Sequence, residues 1–306
     1  STIKSIDSEQ ELLRLLELED MKYRGKSFAI EILGEMKSSR AVPVLVRYLN
    51  DTRRDLRRAS TLALGAIGGS ESINPLVETS QRDVDAHVRR RAIEALGTIQ
   101  AKEAYEPLSE LLDVEKYCDV LEKIVEALLK IDADRLLSGI TRYSSLVREI
   151  IAKTVSDEDL LLSLIVDPDK KVKIAAINSL GRIGTDRANS RITQFLGESD
   201  ADIRKAAVVG LGEARCCSPE LLEALNDDDS RVRFYAVKTV AFSCERETAI
   251  LRIAPLLLDE FIPVVMSAID VIVQLGGREA YEVLSSHREH HNKDVREKIL
   301  EALNSL

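Results

Sequence analysis

The stretch that decides the fold is DADIRKAAVVGLGEARCCSPELLEAL, residues 200–225. Ile203, Ala207 and Leu211 recur every fourth residue, so they share one face of a helix. Asp200 and Asp202 stand at its start, where a carboxylate accepts free amide hydrogens and suits the helix dipole. Gly212 lies near the end of the run and predicts a left-handed stop there. Pro219 then opens a second helix, because the first-turn amide that proline lacks has no helical partner anyway. Such a hairpin cannot bury both its faces alone and needs copies stacked against it.

The copies are present. An aliphatic residue, a basic residue, an Ala-rich stretch and Leu-Gly recur at Leu56-Arg57 to Leu64-Gly65, Val88-Arg89 to Leu96-Gly97 and Val172-Lys173 to Leu180-Gly181. Weaker versions run from Val232-Arg233 to Val240 and from Val295-Arg296 to Leu303. The aliphatic position before Gly is a ruler: Leu33, Leu64, Leu96, Leu128, Val155, Leu180, Leu211, Val240, Ile272 and Leu303, in steps of 25 to 32 residues. Pro43, Pro75 and Pro107 repeat the second-helix opening. A fixed period of about 30 residues is the mark of a helical solenoid. The expected fold is all-α, a right-handed α-α superhelix of about ten helical hairpins forming one domain over 1–306. Residues 1–19 and 287–306 supply capping helices. Two short steps flank Val155, which makes 133–160 a degenerate repeat.

Composition agrees. Of 306 residues, 45% are hydrophobic but only 4% aromatic, and Trp is absent. Cores built from Ala, Leu, Ile and Val suit a helical array. The net charge of −9 works against a nucleic-acid partner. No apolar run reaches the roughly 18 residues of a spanning helix. Four cysteines and no secretory signal point to a reducing cytoplasm.

The recurring phrase resembles the HEAT-repeat superfamily, in particular the short subtype named after phycobilisome lyases, over about residues 20–306. The resemblance implies that the Arg of the phrase joins a ladder with an Asp of a neighbouring repeat, with Asp51, Asp83, Asp169, Asp202, Asp229 and Asp294 as the acids. It also implies that the Arg-bearing helices line a concave face. Counting the aliphatic residue as position one, positions three and seven then point away from the core. In the N-terminal half this places Arg58 and Arg90 on neighbouring helices, beside Arg57 and Arg89, with Glu94 and Glu126 adjacent. Forked guanidinium donors there suit an acidic or phosphorylated segment, although a solvated face of local ion pairs is the plainer explanation. In the C-terminal half the same rows carry Ile174, Val209, Phe234 and Met266, a strip fit to hold a partner helix unless the register slips by one and buries it.

Catalytic constellations are lacking. The di-iron hydroxylases of this superfamily carry His-Glu dipeptides, and none occurs here. His287, Glu289, His290 and His291 cluster at a turn, which reads as surface. Cys216, Cys217 and Cys244 fall in turns after consecutive Arg-bearing helices and read as small buried hydrophobes, or else as the basis of a metal or iron–sulfur accessory role. The expected function is a non-enzymatic scaffold or adaptor that grips a protein or peptide segment and needs no cofactor. The alternative that the resemblance implies is a phycobilin-lyase-like chromophore lyase or chaperone subunit.

Overall fold

The computed structural model describes residues 2–18 and 21–306, with side chains from residue 8 onward. Residues 1, 19 and 20, which fall in the expected capping segment and at the start of the repeats, lie outside it. Among the described residues the regular elements are all helical. Two compact units, Ser1–Ile150 and Ile151–Leu306, divide the chain.

The first unit holds α1 (Thr2–Glu17), α2 (Tyr23–Glu35), α3 (Val42–Tyr48), α4 (Arg54–Ile67), α5 (Ser70–Arg82), α6 (Ala86–Ile99), α7 (Tyr105–Leu111), α8 (Cys118–Ser138) and the start of α9 (Ser145–Thr154). The second continues with α10 (Glu158–Leu164), α11 (Lys170–Ile183), α12 (Asp186–Thr193), α13 (Ala201–Glu213), α14 (Pro219–Glu223), α15 (Ser230–Ser243), α16 (Arg246–Ile253), α17 (Ile262–Leu275), α18 (Gly277–Ser286) and α19 (Lys293–Ser305). First helices of successive hairpins pack on one another: α2, α4, α6 and α8 in one unit, and α11, α13, α15, α17 and α19 in the other. Each unit is therefore an α-solenoid with a core running along its row of first helices.

Eight of the ten ruler positions have no exposed surface, Leu33, Leu128 and Ile272 among them. Val155 and Leu303 are half-buried. Val155 lies one residue past the end of α9, which is shorter than its counterparts. Just before it, α8 contains two helical stretches joined at Asp132, whose backbone is extended (φ −161°, ψ 86°). In this stretch α8 thus runs through a kink at Asp132 and α9 spans only 10 residues.

Helix starts follow the capping logic. Asp85, Asp169, Asp200 and Asp229 each accept a first-turn amide hydrogen. Pro43 and Pro219 open α3 and α14. Pro75 is displaced into α5, which already begins at Ser70.

The glycine of the phrase does not stop the helix, contrary to the sequence expectation for Gly212, which lies inside α13. Stops come later, at Gly68 (φ 71°), Gln100 (φ 55°), Gly184 (φ 69°) and Arg215 (φ 51°). The phrase glycines serve close helix approach instead. A Cβ on Gly34 would lie 2.8 Å from the Cα of Ala63, and one on Gly97 would lie 2.8 Å from the Cα of Ala127. At Gly181 it would meet the Gly210 carbonyl oxygen at 2.5 Å.

Candidate functional site

The arginine at position two is the best-fixed side chain of the array. Arg57 Nε donates to Asp83 Oδ2 at 2.8 Å, and Nη2 donates to Oδ1 at 3.0 Å. Arg89 forks onto Glu115 at 3.1 and 2.9 Å. Arg204 grips Asp227 at 2.7 and 2.8 Å, and Arg233 grips Asp259 at 2.6 and 2.9 Å. The remaining nitrogen, Nη1, reaches back to a carbonyl of its own preceding loop: Asp51, Asp83, Glu198 and Asp227 respectively, at 2.8–3.0 Å. Each guanidinium therefore ties its own loop to the next.

Of the six acids expected in this ladder, Asp83 takes part. Asp169 and Asp229 are helix caps two residues after the turn acid. Asp202 forms exposed pairs with Lys170 and Arg231, and Asp294 stands in the first turn of α19. The two-residue offset has a geometric cause. The ladder acid also accepts the amide hydrogen two residues on, as Asp227 does from Asp229 and Asp259 from Phe261, both at 2.8 Å. Hydrogen bonding to Asp83, Asp227 and Asp259 holds Arg57, Arg204 and Arg233 above the ordinary guanidinium value, against their burial. His290 occupies the ladder acid's place in the last repeat: it is buried, its Nδ1 accepts from the Asn292 amide at 3.1 Å, and its carbonyl accepts from Arg296. It is therefore not part of a surface cluster. Among the described residues no group of His, Cys, Asp or Glu is arranged to hold a metal.

This geometry changes the expected basic dock of the first unit. Arg57 and Arg89, with side chains 12% and 13% exposed, belong to the ladder. Arg90 lies 3.5 Å from Asp119 and 3.9 Å from Glu94. Glu94 also pairs with Arg91 at 2.7 Å, and Glu126 pairs with Lys123 at 2.7 Å. Charges of opposite sign one helical turn apart, or facing each other from neighbouring helices, neutralise each other. Of the dock residues, Arg58 alone is exposed with no carboxylate partner among the described residues. Further open cations, Lys22, Arg24 and Arg53, edge a groove with Tyr23, whose ring lies 4.7 Å from the Arg53 guanidinium carbon.

In the second unit the register holds. Ile174, Val209, Phe234 and Met266 are all half-buried, whereas their neighbours Ala175, Ala176, Ala206 and Ala207 are core. Phe234 and Met266 share a groove of about 570 Å³ between α15 and α17 with Lys238, Phe242, Pro263, Ser267, Asp270, Val271 and Gln274. Lys238 Nζ stands 4.4 Å from the Phe234 ring centroid. Asp270 pairs with Lys298 at 2.6 Å. Phe242, 65% exposed, is the wall residue that reading positions three and seven missed. One more helical turn along 234, 238, 242 reaches it.

The cysteines are also corrected. Cys217 and Cys244, 27 residues apart, form a disulfide between the turns that follow α13 and α15. They are not inert buried thiols, and the bridge removes the cysteine argument for a reducing compartment. Cys118 and Cys216 are free, and burial pushes the Cys216 thiol up. The repeat period itself was the available signal, since two turn cysteines nearly one repeat apart come together.

Three solved structures are similar over nearly their whole length, each at 18% identity. An engineered protein aligns over 97% of this chain and 98% of its own, with a TM-score of 0.42. Human deoxyhypusine hydroxylase in complex with glycerol aligns over 100% and 99%, at 0.38. The complex of CpcE and CpcF of phycocyanin lyase from Nostoc sp. PCC7120 aligns over 97% and 94%, at 0.39. Comparison with curated proteins gave no match. The family model for HEAT repeats matches residues 10–96, 158–216 and 218–304, and that for the PBS lyase HEAT-like repeat matches 88–113. The chain therefore belongs to the HEAT-repeat family, with a repeat of the PBS lyase-like kind in its first unit.

Proposed function

We propose that this HEAT-repeat chain is a non-catalytic protein-binding scaffold that grips a partner segment along the first helices of its second unit. The supporting observation is the half-buried apolar strip Ile174, Val209, Phe234 and Met266, at positions where the rest of the array carries mostly polar side chains. Apolar surface that stays in contact with water gains free energy when a partner covers it, by about 25 cal/mol for each Å² buried. Arg58, with Lys22, Arg24 and Arg53, gives the first unit a separate electropositive edge for an acidic or phosphorylated stretch of the same partner. Nucleic acid is disfavoured by the net charge of −9.

The test is capture from native lysate. Val209→Glu with Met266→Glu should lose the proteins that wild type retains while circular dichroism stays unchanged. Equal recovery by both proteins would remove this face from the function. The PBS lyase-like repeat at 88–113 supports a second reading, a chromophore lyase or chaperone subunit. It requires an absorbance shift when bilin is added, and an unchanged spectrum counts against it.

Among the described residues no helix is long and apolar enough to cross a membrane. The cytoplasm is the compartment we propose, where thiol buffers would act on a bridge whose Cys217 end is exposed. A fully oxidised bridge in acid-quenched, alkylated cells would place the protein elsewhere.

A further inference from the structure

We infer that the groove between α15 and α17 is an anchor subsite for a peptide that carries a bulky apolar side chain with a carboxylate beside it. This rests on the scaffold reading and specifies its partner. The walls supply the apolar half: Phe234 and Phe242 from α15, and Met266 with the ring of Pro263 from α17. The volume of about 570 Å³ has room for a large side chain. Aromatic and methionine walls suit such an anchor because they offer much contact area and adapt to its shape.

The carboxylate follows from the charges. The groove holds one ammonium, Lys238, and one carboxylate, Asp270, and they differ in compensation. Asp270 already has Lys298 at 2.6 Å. Lys238 has the face of Phe234 at 4.4 Å and no carboxylate among the described residues. A segment lying in the groove strips water from that ammonium, and a neutral ring repays only part of the loss. An acid on the partner repays it, whereas a base there would be repelled. The groove therefore selects acid-flanked over base-flanked anchors, and chemistry rather than area sets its specificity. Nucleic acid fails the same test because Asp270 and the apolar walls offer a phosphate backbone nothing.

A phage library of random 12-residue peptides selected on the intact chain tests this. Enriched peptides should share Leu, Phe, Met or Trp with Asp or Glu within four positions. Lys238→Glu should weaken a synthetic acid-flanked peptide by roughly tenfold in fluorescence anisotropy and favour its lysine-flanked counterpart. Phe242→Glu should weaken both to a similar degree. Both side chains are exposed, so neither change threatens the fold. Peptides that are enriched but insensitive to both variants would overturn the subsite and leave the scaffold reading standing. Failure to enrich any peptide would remove both. A dimer in sedimentation velocity that Phe242→Glu dissolves would make a second copy of the chain the occupant, and the inference would be wrong.

Discussion

At position three of the first helix, Arg58 and Arg90 of the first unit correspond to Phe234 and Met266 of the second. The frames beneath them share the buried aliphatic ruler, and Arg57, Arg89 and Arg233 fork alike. Ala241 and Val273, however, stand where Gly65 and Gly97 do, and Val265 takes the arginine's place in the repeat of Met266. On the outside they diverge. In the first unit Arg90, Glu94, Lys123 and Glu126 close a network of ion pairs. In the second, apolar side chains and one uncompensated lysine line a groove. Residues that hold one repeat to the next are thus separable from those that face outward, although position two and position three are adjacent in the chain. Breaking the frame should cost stability in either unit, while changing the outward rows should cost stability in neither.

The largest expected effect is on the fork. Arg233→Ala leaves Asp259 buried without its counter-ion and should cost about 3–5 kcal/mol in denaturant unfolding. Arg57→Ala should cost nearly as much, and a loss under 1 kcal/mol in either would break the claim of a common frame. Next is the bridge, which belongs to the second unit alone. Reduction by a dithiol should lower stability by about 3 kcal/mol, the usual scale for a loop of this length. Hydrogen exchange should rise around α13–α16 while α2–α6 keep their protection, since stacked repeats couple mainly to neighbours. Gly181→Ala should follow, at about 1–3 kcal/mol, because its Cβ would strike the Gly210 backbone, which cannot turn aside as a side chain can.

Acid should act on both units by a smaller amount. Burial alone would raise Glu115, but the Tyr117 amide and the Arg89 fork outweigh it and hold the carboxyl below its ordinary value. Arg231 chiefly lowers Asp229, to about 2. A carboxyl whose folded pKa is depressed stabilises above its unfolded value, roughly 4, and that stability drains as pH falls through the folded one. Thermal stability should therefore decline from about pH 4 toward pH 2, and Arg89→Gln should flatten the decline. Smallest of all, Lys238→Glu and Phe242→Glu should shift stability by less than about 0.5 kcal/mol, as exposed positions do. A larger loss would mean that the groove wall carries the frame as well.

Much of this frame was legible in the sequence. Nine of the ten aliphatic positions fall inside a first helix and Val155 just beyond one, because buried side chains on a stack must recur with the stack. What failed was everything decided by a neighbour. Gly212 reads as a helix stop by itself; only the approach of Thr239 at 3.1 Å shows why it has no side chain. Asp227 and Asp229 are indistinguishable as letters, and which one meets Arg204 depends on the turn between them. Arg90 looked free because Asp119, its partner, lies 29 residues away across a helix pair. The outward rows were readable because positions three and seven follow from helical geometry alone, and Ile174, Val209, Phe234 and Met266 are half-buried accordingly.

The fork has one more implication, for how such chains can be rearranged. Each arginine belongs to one hairpin by sequence but grips the acid of the loop that follows it. A cut at the hairpin boundary severs Arg204 from Asp227 and strands both. The exchangeable module is offset: it runs from the residue after one ladder acid through the next, as 228–259 does. Recombination or grafting at that seam carries Arg233 together with Asp259 and leaves Arg204 with Asp227.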